Sequence, residues 1–266
     1  MLNTIRNLLL DEHIELSAAL PLSALRITRR YLLDKCGISD GSAVCFAIPY
    51  YIHPDVTPNL SAYAYAEDYH LYVRGLGERL CGKLSQLYPD NRFAMFADHS
   101  PIDERHAAAL GGLGVLGRHG MLITEKYSSY VFVAELITDA ALPDQSVEIK
   151  YCEDCGRCRA ACPYGLEGGC LSALTQKKGE LTHDEQEILR RHVSVWGCDI
   201  CTEACPHTIR ARKTGTLSSP IPFFSQNLIP NLSLSDIEKM RDEQFARRAY
   251  SWRGRETITR NLKLMK

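Results

Sequence analysis

Nowhere does the sequence run to about eighteen apolar residues in succession, so a membrane-crossing helix is not expected. Strong charge is missing too. The formal net charge is −1, which gives no bulk attraction to nucleic acid. There is no internal repeat beyond two paired cysteine runs, and no long low-complexity tract. The start, "MLNTIRNLLLDEHIEL", turns acidic early and lacks a small-residue cleavage site. A signal peptide is therefore not expected, and the expected location is cytoplasmic. What remains is a chain of 266 residues, 45% hydrophobic and 24% charged, a soluble globular composition. That length suits one large domain or two modest ones.

Cysteine, by contrast, is plentiful. Eleven in a chain expected in the cytoplasm argue for metal rather than disulfides. Eight of them fall between Cys152 and Cys205, so the usage is local. Charge is also uneven. Residues 211–266 carry 11 Lys/Arg against 5 Asp/Glu, and the remainder carries 20 against 27. That basic tail points to an anionic partner or to a solvated helix face.

The first half reads as alternating helix and strand. "PLSALRITRRYLLDKCG" has a helix pattern ending at Gly37, and "SAVCFAIPYY" is a strand candidate. Val73, Leu76, Leu80, Leu84 and Leu87 recur at helical spacing. "RFAMFAD" reads as a buried strand. "PIDERHAAALGG" opens with proline at a helix N1 position and closes on glycine. "GMLIT" and "SYVFVAELIT" read as two further strands. From Tyr151 the texture changes to closely spaced Cys, Gly and Pro. Thr182 and Glu185 form a capping-box pattern ahead of "QEILRRHV". Two short helices, "LSDIEKMRDEQFARRAY" and "RETITRNLKLM", close the chain after a Pro/Ser-rich connection. The expected fold class is α+β. An α/β domain with a flanked sheet covers 1–147, a two-cluster ferredoxin-like domain 148–210, and an extension with short helices 211–266.

Cys152-x2-Cys155-x2-Cys158-x3-Cys162-Pro163 is the bacterial ferredoxin run, in which three thiolates hold one cubane and the fourth holds the other cluster of a pair. A zinc site wants four ligands and would leave several thiolates idle. The crossing rule gives cluster one Cys152, Cys155 and Cys158 with Cys205, and cluster two Cys162, Cys198 and Cys201. The second set is one ligand short. Cys36, Cys45 and Cys81 lie in apolar patterns and read as small buried hydrophobes. Cys170 follows the flexible "GLEGG" and precedes the helical "LSALTQKKG", and is assigned as the eighth ligand. Two 4Fe-4S clusters in series imply electron transfer from a donor to a reaction centre.

"GLGVLG", Gly112 to Gly117, matches the dinucleotide fingerprint G-x-G-x-x-G. A helix pattern precedes it and a strand follows, the reverse of what that fingerprint needs. A nicotinamide site is therefore not expected. The glycines still permit close backbone approach to something flat or bulky.

"FADHSPIDERHAAALGGLGVLGRHGMLIT", followed by "YSSYVFVAELITD", resembles the central segment of epoxyqueuosine reductases. "YAEDYH", Cys170 with "LSALT", "WGCDICTEACP" and "RRAYSWRGRETITRN" have counterparts in the same order. The resemblance implies a base-off cobalamin in the N-terminal α/β domain, two 4Fe-4S clusters behind it, and an external electron donor. It implies reduction of the epoxide of a modified tRNA wobble nucleoside to queuosine. It gives Asp98 the proton-donating role and turns Arg105 toward substrate. Gly112, Gly114, Gly117, Tyr69 and Ser129 fall where cofactor contacts would lie. It also supports Cys170 as a ligand.

Each of these residues has a plainer reading. Asp98 suits an N-cap for a helix beginning near Pro101. Arg105 suits an exposed charge paired with Asp103 or Glu104, Tyr69 a core position, and Ser129 a turn. His70, His99 and His106 read as pocket or surface residues. His99 and Ser100 replace a common Thr-Gly pair of the family, His207 replaces a tryptophan, and the Cys162-to-Cys170 segment is shorter than usual. Family members usually continue into helical repeats that help bind tRNA, and this sequence stops where those would begin. Two other functions fit the same cysteines. One is cobalamin-dependent reduction of a small organic substrate, as in reductive dehalogenases. The other is a two-cluster electron carrier without corrin.

Overall fold

The computed structural model describes residues 1–265. It is a mixed helix-and-sheet chain that divides into two compact units, Met1–Pro49 with Tyr72–Asp154, and Tyr50–Leu71 with the chain from Cys155 onward. No helix among the described residues is long and apolar enough to cross a membrane.

The first unit is built on a four-stranded sheet of order β1-β2-β6-β3 with every pairing antiparallel. Its elements in chain order are α1 (Leu2–Asp11), β1 (Leu16–Pro21), α2 (Arg30–Lys35), β2 (Ser42–Pro49) and α3 (Tyr69–Leu87, whose first turn lies in the second unit). After these come β3 (Phe93–Phe96), α4 (Glu104–Leu110), the short strands β4 (Val115–Leu116) and β5 (Leu122–Ile123), and β6 (Val131–Thr138). β2 is buried at every position, which is why its sequence runs apolar without alternation. Ala43, Cys45 and Ile137 of the central strands pack with Leu20, Leu33 and Ala107, joining the sheet to α2 and α4. Along α3 the buried stripe is Tyr72, Leu76, Leu80 and Leu84, while Leu87 is exposed.

Three local expectations give way. The pattern "PLSALRITRRYLLDKCG" is α-helical only over Arg30–Lys35, with a 3-10 turn at Leu22–Ala24, because Leu16–Pro21 pairs with β2 and draws the chain into the sheet. β3 is half-buried, since it pairs only with β6 at the sheet edge. Helix α4 begins at Glu104, not at Pro101, because Asp103 is the residue that caps it.

The second unit is a set of short helices. They are α5 (Arg157–Ala161), α6 (Leu171–Thr175), α7 (His183–His192), α8 (Ile200–Glu203), α9 (Pro206–Lys213), α10 (Leu234–Lys239), α11 (Asp242–Ala246) and α12 (Arg255–Leu264). The expected helix over "LSDIEKMRDEQFARRAY" is thus broken into α10, opened by a reciprocal cap at Ser233, and α11, where Gln244 Oε1 accepts the Arg241 amide at 3.1 Å. The capping box at Thr182 and Glu185 forms as the sequence indicates. Leu171, Leu174, Leu181 and Leu189 make the core joining α6 to α7, with Cys198 packed against it.

Candidate functional site

In the second unit the cysteine runs fold as two copies of one local frame. Cys158 lies in α5 and Cys201 in α8, and the two helices pack together. Four residues after each comes a second cysteine and then a proline. Cys162 has φ −71° and ψ 130°, and Cys205 has φ −71° and ψ 129°. Proline disfavours a helical conformation in the residue before it, so both cysteines are extended, Cys162 as the cap that ends α5 and Cys205 between α8 and α9.

Asp199 anchors the second frame. Its half-buried carboxylate accepts from Ser61 Oγ at 2.6 Å and from the Ala62 amide at 2.7 Å. Gly197 has φ 72°, and a Cβ there would meet Ser61 Cβ at 2.5 Å, so only glycine fits. Its amide donates to Thr175 Oγ1 at 2.9 Å, tying the start of the frame to the helix that follows Cys170. Buried Asn261 donates to the carbonyls of Thr175 and Val195 at 2.7 and 2.9 Å.

Cys170 is the N-cap residue of α6. Burial pushes the Cys198 thiol up to about 12, with charge on Asp199, Cys201 and Cys170 adding to it. Burial likewise pushes Cys201 up to about 11, with Cys162 and Cys170 adding. Cys170 and Cys201 therefore lie within electrostatic reach of Cys198, and Cys162 and Cys170 within reach of Cys201. Thiols crowded this way resist ionisation on their own, whereas a bound metal centre deprotonates its ligands. No three candidate ligands are placed to hold a single ion among the described residues. A cubane differs in spreading four thiolates over four irons, and the donor set suits it.

In the first unit the glycine loop and the first cysteine meet. Leu116 and Tyr151 form a parallel bridge, with the Leu116 amide donating to Lys150 O and the Cys152 amide to Leu116 O. The Arg118 amide donates to Cys152 Sγ at 3.2 Å, a bond that favours a thiolate. The Arg118 side chain pairs with Asp154 at 3.8 Å. Beside them opens a cavity of about 550 Å3, lined by Arg26, Arg105, His106, Gly117, Arg118 and Cys152 among others. Arg105 donates to the Gly120 carbonyl and is not held by Asp103 or Glu104. His106 Nδ1 in the cavity wall is buried without a hydrogen-bond partner.

The glycines divide. Gly117 lines the cavity, but a Cβ on it would meet the His119 ring at 2.6 Å. Gly114 lies against the β5 backbone, where a Cβ would stand 2.4 Å from Ile123 O. Gly112 has φ 73° beside Val147. Their need for glycine is met inside the chain itself. Ser129 is 3% exposed and its Oγ has no partner among the described residues, an orphaned polar atom that a bound group would satisfy. Tyr69 opens α3, half-buried, its ring centroid 4.1 Å from that of His70.

Asp98 is exposed on the loop after β3, with φ 64°. It does not cap α4, because the Asp103 side chain accepts from His106 N instead. Three neighbours escape a reading of the sequence. Glu104 accepts the Asp98 amide at 2.7 Å. Ser100 Oγ donates to Glu135 Oε1, and the Ile102 amide donates to Ser100 Oγ at 3.1 Å. Burial pushes Glu104 up to about 7, and burial together with the Glu104 charge raises Glu135 well above the usual carboxylate range. The one signal in the sequence is a glutamate inside the apolar "VFVAELIT".

No family model matches the sequence. Among curated proteins, the epoxyqueuosine reductase of Cellulophaga algicola is 30% identical over 233 residues, covering 83% of this chain and 72% of the relative. That of Lactococcus garvieae is 28% identical over 209 residues, covering 75% of this chain and 58% of the relative. The chain thus spans a little over half the length of that second relative. Among solved structures, epoxyqueuosine reductase from Streptococcus thermophilus superposes with a TM-score of 0.77 at 21% identity, covering 100% of this chain and 80% of that one. One bound to an epoxyqueuosine-modified tRNA stem loop gives 0.76 at 22% identity, covering 99% and 81%. The Bacillus subtilis structure with its catalytic aspartate loop swung out gives 0.75 at 22%, covering 99% and 81%. These likenesses establish the fold, and the Cellulophaga relative carries the family: the chain belongs to the epoxyqueuosine reductases.

Proposed function

We propose that the chain is an oxidoreductase that converts epoxyqueuosine in tRNA to queuosine, working in the cytoplasm with electrons from an external donor. The observation that supports this reading is that Cys170 and Cys201 reach Cys198, and Cys162 and Cys170 reach Cys201, and in this reading Cys170 is the ligand that the spacing lacks. Those four would hold one 4Fe-4S cluster in a ferredoxin-like unit, and Cys152, Cys155, Cys158 and Cys205 the other. Cobalamin is supported by family membership and by the unpaired Ser129 Oγ in the first unit. When bound, these groups supply the two electrons that the reaction consumes.

Opening an epoxide to an alkene takes two electrons and two protons, and the oxygen leaves as water. The chain's own task is to place the proton. Asp98 is its donor in this reading, on an exposed loop with no helix to cap. The Bacillus subtilis relative is described as having a catalytic aspartate loop, which supports that role. Arg105, on the cavity wall, would orient substrate through its remaining donors. His106, Gly117 and Arg118 lie on the same wall.

The test is complementation of a strain lacking the reductase. Queuosine should reappear in its tRNA, and Asp98→Asn should abolish the effect with the clusters retained. Persistent epoxyqueuosine despite good expression of iron-replete protein would sink the substrate assignment.

A further inference from the structure

The proposed chemistry uses Asp98 but leaves its two carboxylate neighbours without a task. Asp98 sits at φ 64°, and the His99 amide donates back to Ala97 O at 2.7 Å. A three-residue turn with a positive φ at its centre is the rare, strained kind of γ-turn, and needs its surroundings to hold it. On the far side the chain is firmly anchored. Pro101 O accepts the amides of Thr28 and Arg29 at 2.8 and 3.1 Å, and Arg29 donates to Ser100 O at 3.0 Å. Ser100 is itself fully buried on Glu135, which lies in β6 between Cys45 of β2 and Phe96 of β3. At the turn itself, Tyr31 Oη bonds His99 Nε2 at 2.8 Å, and the Asp98 amide donates to Glu104 Oε1 at 2.7 Å.

We propose that Glu104 is a positioning residue: by accepting the Asp98 amide it latches the strained turn that presents the Asp98 carboxyl outward, while Glu135 pins the adjoining Ser100 to the sheet. The inference rests on Asp98 being the proton donor of the reaction proposed above. Asp98 acts on substrate, and Glu104 acts only through it.

The charges around Glu104 make the latch respond to pH. Asp98 on the turn and Asp103 at the start of its own helix disfavour its charge, Arg29 favours it, and Glu135 of β6 and Cys45 of β2 both face the Glu104 charge. Burial is the largest influence, and Glu104 is pushed up to about 7. An ionised acceptor makes the stronger bond, so the latch tightens as pH rises through that value.

Hydrogen–deuterium exchange on the full chain, reconstituted anaerobically with iron, sulfide and cobalamin, reads the latch without reference to substrate. In Glu104→Ala, exchange at 98–99 should quicken by about tenfold or more while β2 and β6 stay protected. Glu104→Gln keeps an acceptor of the same size. It should stay within about threefold of the parent, yet lose the rise in protection across neutral pH. Turnover should follow, with kcat for Glu104→Ala down about tenfold and KM within about twofold, and with most activity restored in Glu104→Gln. Unchanged exchange at 98–99 in Glu104→Ala overturns the latch. Should that variant fail to fold, Glu104→Gln decides: a retained pH step overturns the proposal, and a lost step with protection kept supports it. Faster exchange in a protein that never reduces epoxyqueuosine would uphold the latch and refute the substrate assignment instead.

Discussion

Cys162 and Cys205 share one backbone conformation, φ −71° with ψ 130° and φ −71° with ψ 129°, and a proline follows each. Each closes a helical turn that holds another cysteine four residues earlier, Cys158 or Cys201. Two such frames packed together can each lend a thiolate to the other's cluster, which is the crossing that the ferredoxin spacing encodes. In the proposed function Cys170 would complete one set from outside both frames.

Cys170→Ser should therefore leave one cluster intact and remove about half of the iron and sulfide bound per chain. Cys81→Ser on α3 should leave both contents unchanged. Chemical quantification of iron and sulfide on anaerobically reconstituted variants checks this.

The frames were legible because a cluster ligand's spacing is a local property of the chain. The same holds for β2, whose uninterrupted apolar run reflects burial along its whole length. What failed locally failed through competition. Leu16–Pro21 pairs with β2 and overrides the helical pattern that begins at Pro21. Asp103 wins the α4 cap from Asp98 because it stands directly before the first helical residue. The carboxylates around Asp98 were hidden for another reason. Glu135 is distant from Ser100 in sequence and meets it only because β6 lies between β2 and β3. No period or spacing reports such a contact.

Gly114→Ala tests the packing of the glycine loop. The new methyl would stand 2.4 Å from the Ile123 carbonyl oxygen, and backbone must shift to admit it. A loss of about 1–3 kcal/mol is expected, seen as a lower denaturant midpoint with an unchanged slope.

Glu104 gives stability a pH dependence of known sign. Its carboxyl is held up to about 7 in the folded chain, against an ordinary value of 4.5. The folded state thus binds the proton more tightly, and stability falls as pH rises between those values. Glu104→Gln should match the parent at acid pH and gain on it by up to about 3 kcal/mol above neutrality. Denaturant titrations across that range measure the difference.

Arg105→Ala should separate binding from folding. Its side chain is exposed and makes one bond to the Gly120 carbonyl, so thermal stability should change little. If it orients substrate, kcat/KM should fall by about tenfold or more, and Arg105→Lys should recover only part of it.

The most direct measurement is a single-turnover assay. Protein loaded with iron, sulfide and cobalamin, and chemically reduced under anaerobic conditions, is mixed with an epoxyqueuosine-containing tRNA anticodon stem loop. The nucleosides are then read by mass spectrometry. The expected result is queuosine in place of epoxyqueuosine, lost in Asp98→Asn while both metal contents are retained. Epoxyqueuosine left intact by fully loaded, reduced protein would contradict it.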